Sequence, residues 1–149
     1  MEGKIVNIEG FKAVGITYFG DNMNGEIPRL WEVFNKSFMN IHHKSNPMLF
    51  YGICDGEMDS DCRFHYTACA KVDSFESLPE NMETKVVQGG KYVVYTYGGA
   101  IQDLGGFYEN IFTHWLPASG YEMDDRPQLE LYDGRFMVNG EFDIYIPIK

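Results

Sequence analysis

No long apolar run occurs anywhere in the chain. Its 149 residues nowhere approach the roughly 18 or more apolar residues of a membrane-spanning helix. The opening residues, MEGKIVNIEGFKAVG, lack the basic-then-apolar pattern of a secretory leader. A soluble, unprocessed protein with no membrane partner is expected. Cysteine is scarce as well: Cys54, Cys62 and Cys69 are odd in number and crowded into one stretch. That excludes a disulfide framework across the chain and points to a reducing, cytoplasmic compartment. Basic residues are few, 12 Lys and Arg against 22 Asp and Glu, for a formal net charge of -10 with no basic run to interrupt it. Such a surface repels phosphate backbones, so direct binding of nucleic acid is not expected, whereas cationic ligands are favoured.

Signatures of metal and phosphate chemistry are also missing. Cys62-x-x-His65-x-x-x-Cys69 has ligand types, but alternation along a strand points Cys62 away from His65 and Cys69, and no fourth ligand is evident. The acidic loop DGEMDSD (55–61) lacks calcium-loop spacing and reads as a solvated turn. GGAIQDLGG (98–106) is followed by no Lys-Ser/Thr and does not fit a phosphate loop, and Gly-x-Ser-x-Gly is absent. His42 and His43 read as a solvated loop pair, and His114 as a helix-surface residue. Neither metal nor cofactor is expected.

What is present is a core and a repeat. Hydrophobic residues make up 44% of the chain, enough for one globular domain with a real interior. FKAVGITYFG (11–20) reads as a strand. EIPRLWEVFNKSFMNI (26–41) then sets Ile27, Leu30, Trp31, Phe34 and Phe38 at helical spacing, with Pro28 suited to a first turn. MLFYGIC (48–54) and RFHYTACAKV (63–72) follow as strands. The order then recurs. KYVVYTYGG (91–99) is a strand, and DLGGFYENIFTHWL (103–116) places Leu104, Phe107, Tyr108, Ile111 and Trp115 on one helical face. PQLELYD and EFDIYIPIK close as strands about turns at Asp133-Gly134 and Asn139-Gly140. Leu30-Trp31-x-x-Phe34 matches Phe107-Tyr108-x-x-Ile111 at a shift of 77, and FHYTACA matches FDIYIPI at 78. We therefore expect an α+β fold from a duplicated strand-helix-strand-strand unit. An antiparallel sheet would carry two main helices on one face with a groove between them. The pseudo-symmetric halves span about 1–75 and 85–149, joined by a linker at 73–90.

Glu130, between Leu129 and Leu131, stands out in this scheme. Alternation sends Gln128, Glu130 and Tyr132 to one face and the leucines to the other, and in the last strand separates Phe142, Ile144 and Ile146 from Asp143, Tyr145 and Pro147. If Glu130 faces the groove, Tyr132, Tyr145, Tyr51, Trp31, Tyr108 and Trp115 would ring it as a box for a flat cation. A glutamate between leucines also fits the wet side of an amphipathic edge strand, and the helix aromatics also fit a plain core. The face bearing Leu129, Leu131, Ile144 and Ile146 is expected to need cover from sheet curvature, the N-terminal segment or a second copy in a homodimer.

FYENIFTHWLPASGYEMDDRPQLELYD followed by FDIYIPIK resembles the second half of the GyrI-like small-molecule-binding domain, the effector-binding domain of multidrug-responsive bacterial transcription activators. The shared pattern is a helix ending Trp-Leu-Pro-x-Ser-Gly-Tyr, a Pro-x-Leu-Glu-x-Tyr strand and an Asp-Ile-x-Ile-Pro-Ile end, and the likeness extends over most of the chain. It implies that Glu130 lies at the floor of an aromatic pocket and meets the charge of lipophilic cations, with Tyr145 as another lining position. Regulators of this kind carry a helix-turn-helix part before the pocket, whereas this chain begins at the pocket domain, so a stand-alone form is expected. Two alternatives go with the resemblance. One is a hydrolase of reactive cyclopropane-bearing, DNA-alkylating compounds, with Glu130 as general base and Tyr145, Tyr51 or Tyr108 assisting. The other is a partner and inhibitor of DNA gyrase.

Overall fold

The computed structural model describes residues 3–41, 44, 49–55, 59–76 and 78–149. His42, His43 and part of the acidic loop lie outside the described residues. Strands β1 (Lys4–Ile8) and β2 (Phe11–Gly20) lead into helix α1 (Glu26–Ser37), which ends in a 3-10 turn at Phe38–Asn40. Strands β3 (Phe50–Asp55), β4 (Phe64–Val72), β5 (Glu83–Val87) and β6 (Gly90–Tyr97) follow. Helix α2 (Leu104–Asn110) then runs through a π-helical stretch, Ile111–Trp115, into α3 (Leu116–Ser119). Strand β7 (Gln128–Tyr132), helix α4 (Gly134–Asn139) and strand β8 (Phe142–Pro147) complete the order.

The strands make one eight-stranded sheet, ordered β1-β6-β8-β7-β3-β4-β2-β5. Every pairing is antiparallel, as the α+β expectation requires. Exchanging β2, β3, β4 and β5 for β6, β7, β8 and β1 turns this order into its own reverse. Each strand-helix-strand-strand unit thus occupies one side of a central β7–β3 pair. The outer strands cross over: β1 precedes β2 yet pairs with β6, and β5 precedes β6 yet pairs with β2.

Two expectations are corrected. The stretch expected as linker contains β5, which the pattern hid because ETKVV is short and polar, and its Val86 is exposed at the sheet edge. The expected turn at 133–140 holds α4. Asp133 caps it by accepting a hydrogen bond from the Arg135 backbone N–H, and Gly140 ends it in the left-handed region at φ 76°.

Both main helices cover the face that bears Glu130. Register places Glu130 opposite Gly52 on β3 and Ile144 on β8. The β4 residues on the same face, Ala68 and Ala70, are small enough to admit the fully buried Phe34 of α1, with Val14 beside it. Burying a ring of that size contributes about 1.5–3 kcal/mol. Across the seam, Ile111 and Leu116 bury against Tyr95, Phe142, Ile144 and Ile146. Ile144 and Ile146 therefore lie under the second helix, not on the leucine face where they were expected. Adjacent residues of a strand point to opposite sides, so they cannot share a face with Leu129's partner Tyr145. On the leucine face, Ala13, Ile53, Cys69, Val87, Tyr92 and Leu129 form a third cluster, partly covered by Val6 and Ile8 of β1.

Candidate functional site

Glu130 is buried, 6% exposed, at the seam between the halves. Its carboxylate accepts three phenol hydroxyls: Tyr66 (2.7 Å) and Tyr132 (3.0 Å) on Oε1, and Tyr108 (2.5 Å) on Oε2. The donors come from separate elements. Tyr66 lies on β4 of the first half, Tyr132 two residues along β7, and Tyr108 on α2. Helix α1 joins through Trp31, whose indole N–H donates to the Tyr66 oxygen at 3.1 Å and whose ring stands edge-on to Tyr132 at 5.3 Å. The Tyr66 hydroxyl therefore accepts a hydrogen bond from one side and donates one to the other.

Gly52 makes the arrangement sterically feasible. A Cβ there would fall 2.1 Å from the Tyr66 hydroxyl oxygen and 2.9 Å from Glu130 Oε1. Only a residue without a side chain lets the phenol cross β3 to the carboxylate. Burial, reinforced by the charge of Glu130, pushes the phenols of Tyr66, Tyr108 and Tyr132 well above the ordinary tyrosine range, so they remain donors at physiological pH. Burial and then the same charge raise the Cys54 thiol, leaving it a weak nucleophile.

Three donors satisfy the oxygens but bring no positive charge. Among the described residues no ion pair involves Glu130. Burying a carboxylate without a counter-ion costs free energy, which the three phenol hydrogen bonds offset in part. Also among the described residues, no group of three His, Cys, Asp or Glu is placed to hold a metal, and no helix is long and apolar enough to cross a membrane.

Of the aromatics expected around Glu130, the structure brings Tyr108, Tyr132 and, through Tyr66, Trp31 to it. Tyr51 and Tyr145 are corrected. Register pairs Tyr51 with Leu131 and Tyr145 with Leu129, on the opposite face from Glu130. Of the three tyrosines expected to assist Glu130 as a general base, Tyr108 is hydrogen-bonded to it, whereas Tyr145 and Tyr51 lie on the other face. Trp115 turns into the core of the second half, against Tyr95 at 5.9 Å and Phe107 at 5.0 Å. Tyr66 was missed. The signal was its place on the helix-facing side of a strand whose neighbour carries a glycine across from Glu130, which becomes visible once the pairing of β3 with both β4 and β7 is known.

The architecture is an open antiparallel sheet whose two main helices each bring an aromatic side chain, Trp31 and Tyr108, to the network around a buried acid. Residues 4–148 match the family described as Cass2, integron-associated effector binding protein, and the chain belongs to that family. The transcriptional regulator BrlR of Pseudomonas aeruginosa is 34% identical over 152 residues, covering 99% of this chain and 56% of BrlR. The chain thus spans about half the length of the curated relatives it matches. The fold is shared with SAV2435 bound to tetraphenylphosphonium (TM-score 0.77, 17% identity, 100% of this chain and 94% of that one). It is also shared with the Vibrio cholerae integron cassette protein VCH_CASS2 (TM-score 0.70, 23% identity, 99% and 96%).

Proposed function

We propose that the domain binds lipophilic cations at the seam between its halves, with Glu130 as counter-ion and Trp31, Tyr66, Tyr108 and Tyr132 as aromatic surroundings. The observation that carries this reading is the buried carboxylate satisfied by three neutral phenols and, among the described residues, by no cation. An incoming cation supplies the missing charge, while the phenols can retain or exchange their hydrogen bonds as the ligand's shape demands. Aromatic faces add about 0.5–2 kcal/mol per cation contact and make few directional demands, so selectivity is broad in shape and narrow in charge. The bound ligand of SAV2435, a bulky organic cation, is of the class this chemistry favours. The free thiols of Cys54, Cys62 and Cys69 fit a reducing, cytoplasmic setting.

The test is a titration with tetraphenylphosphonium read by tryptophan fluorescence. Trp31, hydrogen-bonded into the network, should report occupancy through quenching that saturates. Trp31→Phe should remove most of the signal, while Trp115→Phe should leave it. Quenching that never saturates, or that depends on Trp115 alone, contradicts the reading.

A further inference from the structure

On the leucine face of the sheet, away from Glu130, lies a half-open pocket of about 310 Å³ that the cation site does not use. Its apolar wall is Ile8, Phe11 and Leu129. Its polar lining residues are Tyr51, Tyr145, the half-buried Lys71 and the exposed Glu9. Among the described residues neither phenol hydroxyl has a hydrogen-bond partner, and neither Lys71 nor Glu9 forms an ion pair. Lys71 is held near the site by the Phe11 ring, 5.5 Å from its centroid, and Phe11 in turn lies 4.8 Å from the Tyr51 ring. Burial, then the neighbouring Tyr145 and Cys69, push the Tyr51 phenol up to about 12, so it stays a donor.

The geometry points to a second ligand site, independent of the cation site, for a small zwitterion with one aromatic ring, the class of a free aromatic amino acid. The charges decide this class. A simple anion would gain Lys71 and two phenol donors but meet Glu9; a simple cation would gain Glu9 but meet Lys71; a zwitterion complements both. The volume sits at the low end for small-molecule sites, which limits the occupant to about one ring, and Phe11, Tyr51 and Tyr145 give that ring aromatic surfaces to pack on.

The experiment is a calorimetric titration of the full chain with L-phenylalanine, set beside phenylpropionate, which keeps only the carboxylate, and phenethylamine, which keeps only the ammonium. L-phenylalanine should bind with a dissociation constant on the order of 1 mM or below, and each singly charged analogue about tenfold weaker. Lys71→Met and Glu9→Gln, both of residues outside the core, should each weaken L-phenylalanine about tenfold, and Glu130→Gln should leave it unchanged. Ring resonances of Tyr51 and Tyr145 should shift on binding. No saturable binding by the folded chain overturns the inference. So does an analogue that binds as tightly as the amino acid, or binding that falls with Glu130→Gln but survives both Lys71→Met and Glu9→Gln.

Discussion

Tyr66 shows how much one side chain can carry. Its oxygen accepts from Trp31 and its hydroxyl donates to Glu130, so it links α1 to the carboxylate across two strands. Tyr66→Phe should cost about 1–3 kcal/mol in chemical denaturation, because it strands the indole N–H and removes one of the carboxylate's donors. An unchanged denaturation midpoint would show that the network is not formed in solution. Gly52→Ala should be at least as costly, since the added methyl falls on the Tyr66 hydroxyl and beside the Glu130 carboxylate, and either side chain can move aside only by giving up the hydrogen bond between them. Restored stability in the double variant Gly52→Ala with Tyr66→Phe would assign the clash to that hydroxyl. Glu130 itself was legible from sequence as the out-of-place charge between leucines. Its true partners were not, because which tyrosines reach it depends on strand register, and a parity rule within one strand says nothing about which strand lies alongside.

At the scale of elements, the second helix and the short α4 differ from their sequence patterns for local reasons. Pro117 has no N–H to offer the Thr113 carbonyl, and the Thr113 hydroxyl bonds back to the Glu109 carbonyl at 2.7 Å. The helix answers with the wide turn at Ile111–Trp115. The helix carrying Tyr108 therefore extends to Ser119, beyond the expected end. In α4 the cap residues Asp133 and Gly140 were visible as turn formers, and the six residues between them form a helix because both ends are capped. Asp133→Ala and Gly140→Ala should each lower stability by about 1 kcal/mol in urea denaturation while leaving cation binding intact. Loss of binding in either would tie α4 to the site. Elements with strong periodicity were readable almost to the residue, as β2 and the start of α1 show, although the helix expected to reach residue 41 ends at Ser37 in a 3-10 turn. The edge strands β1 and β5 were not, since a short strand exposed on one side carries little pattern to read.

At the scale of the whole molecule, the crossed outer strands fasten the two halves together, and the tyrosines set the response to alkali. Tyr66, Tyr108 and Tyr132 have folded-state phenols raised well above the unfolded value. A raised group contributes its full stability below the unfolded value and loses it as pH climbs toward the folded one. Stability should therefore hold up to pH about 10 and then fall by about 1.4 kcal/mol per pH unit for each phenol still protonated in the fold. Denaturation midpoints measured beside tyrosinate absorbance would check this. Ionisation of all the tyrosines near pH 10 with no loss of structure would contradict it.

The central claim is that Glu130 selects by charge. Tetraphenylphosphonium and tetraphenylborate share nearly one shape and carry opposite charges, so the measurement is calorimetric binding of both ions to the wild-type chain and to Glu130→Gln. The cation should bind at least about 100-fold more tightly than the anion in the wild type. Glu130→Gln should erase most of that preference, weakening the cation by about 1–3 kcal/mol while the protein stays folded. Equal affinities in the wild type, or a preference for the cation that survives in Glu130→Gln, would show that the buried carboxylate is not the counter-ion.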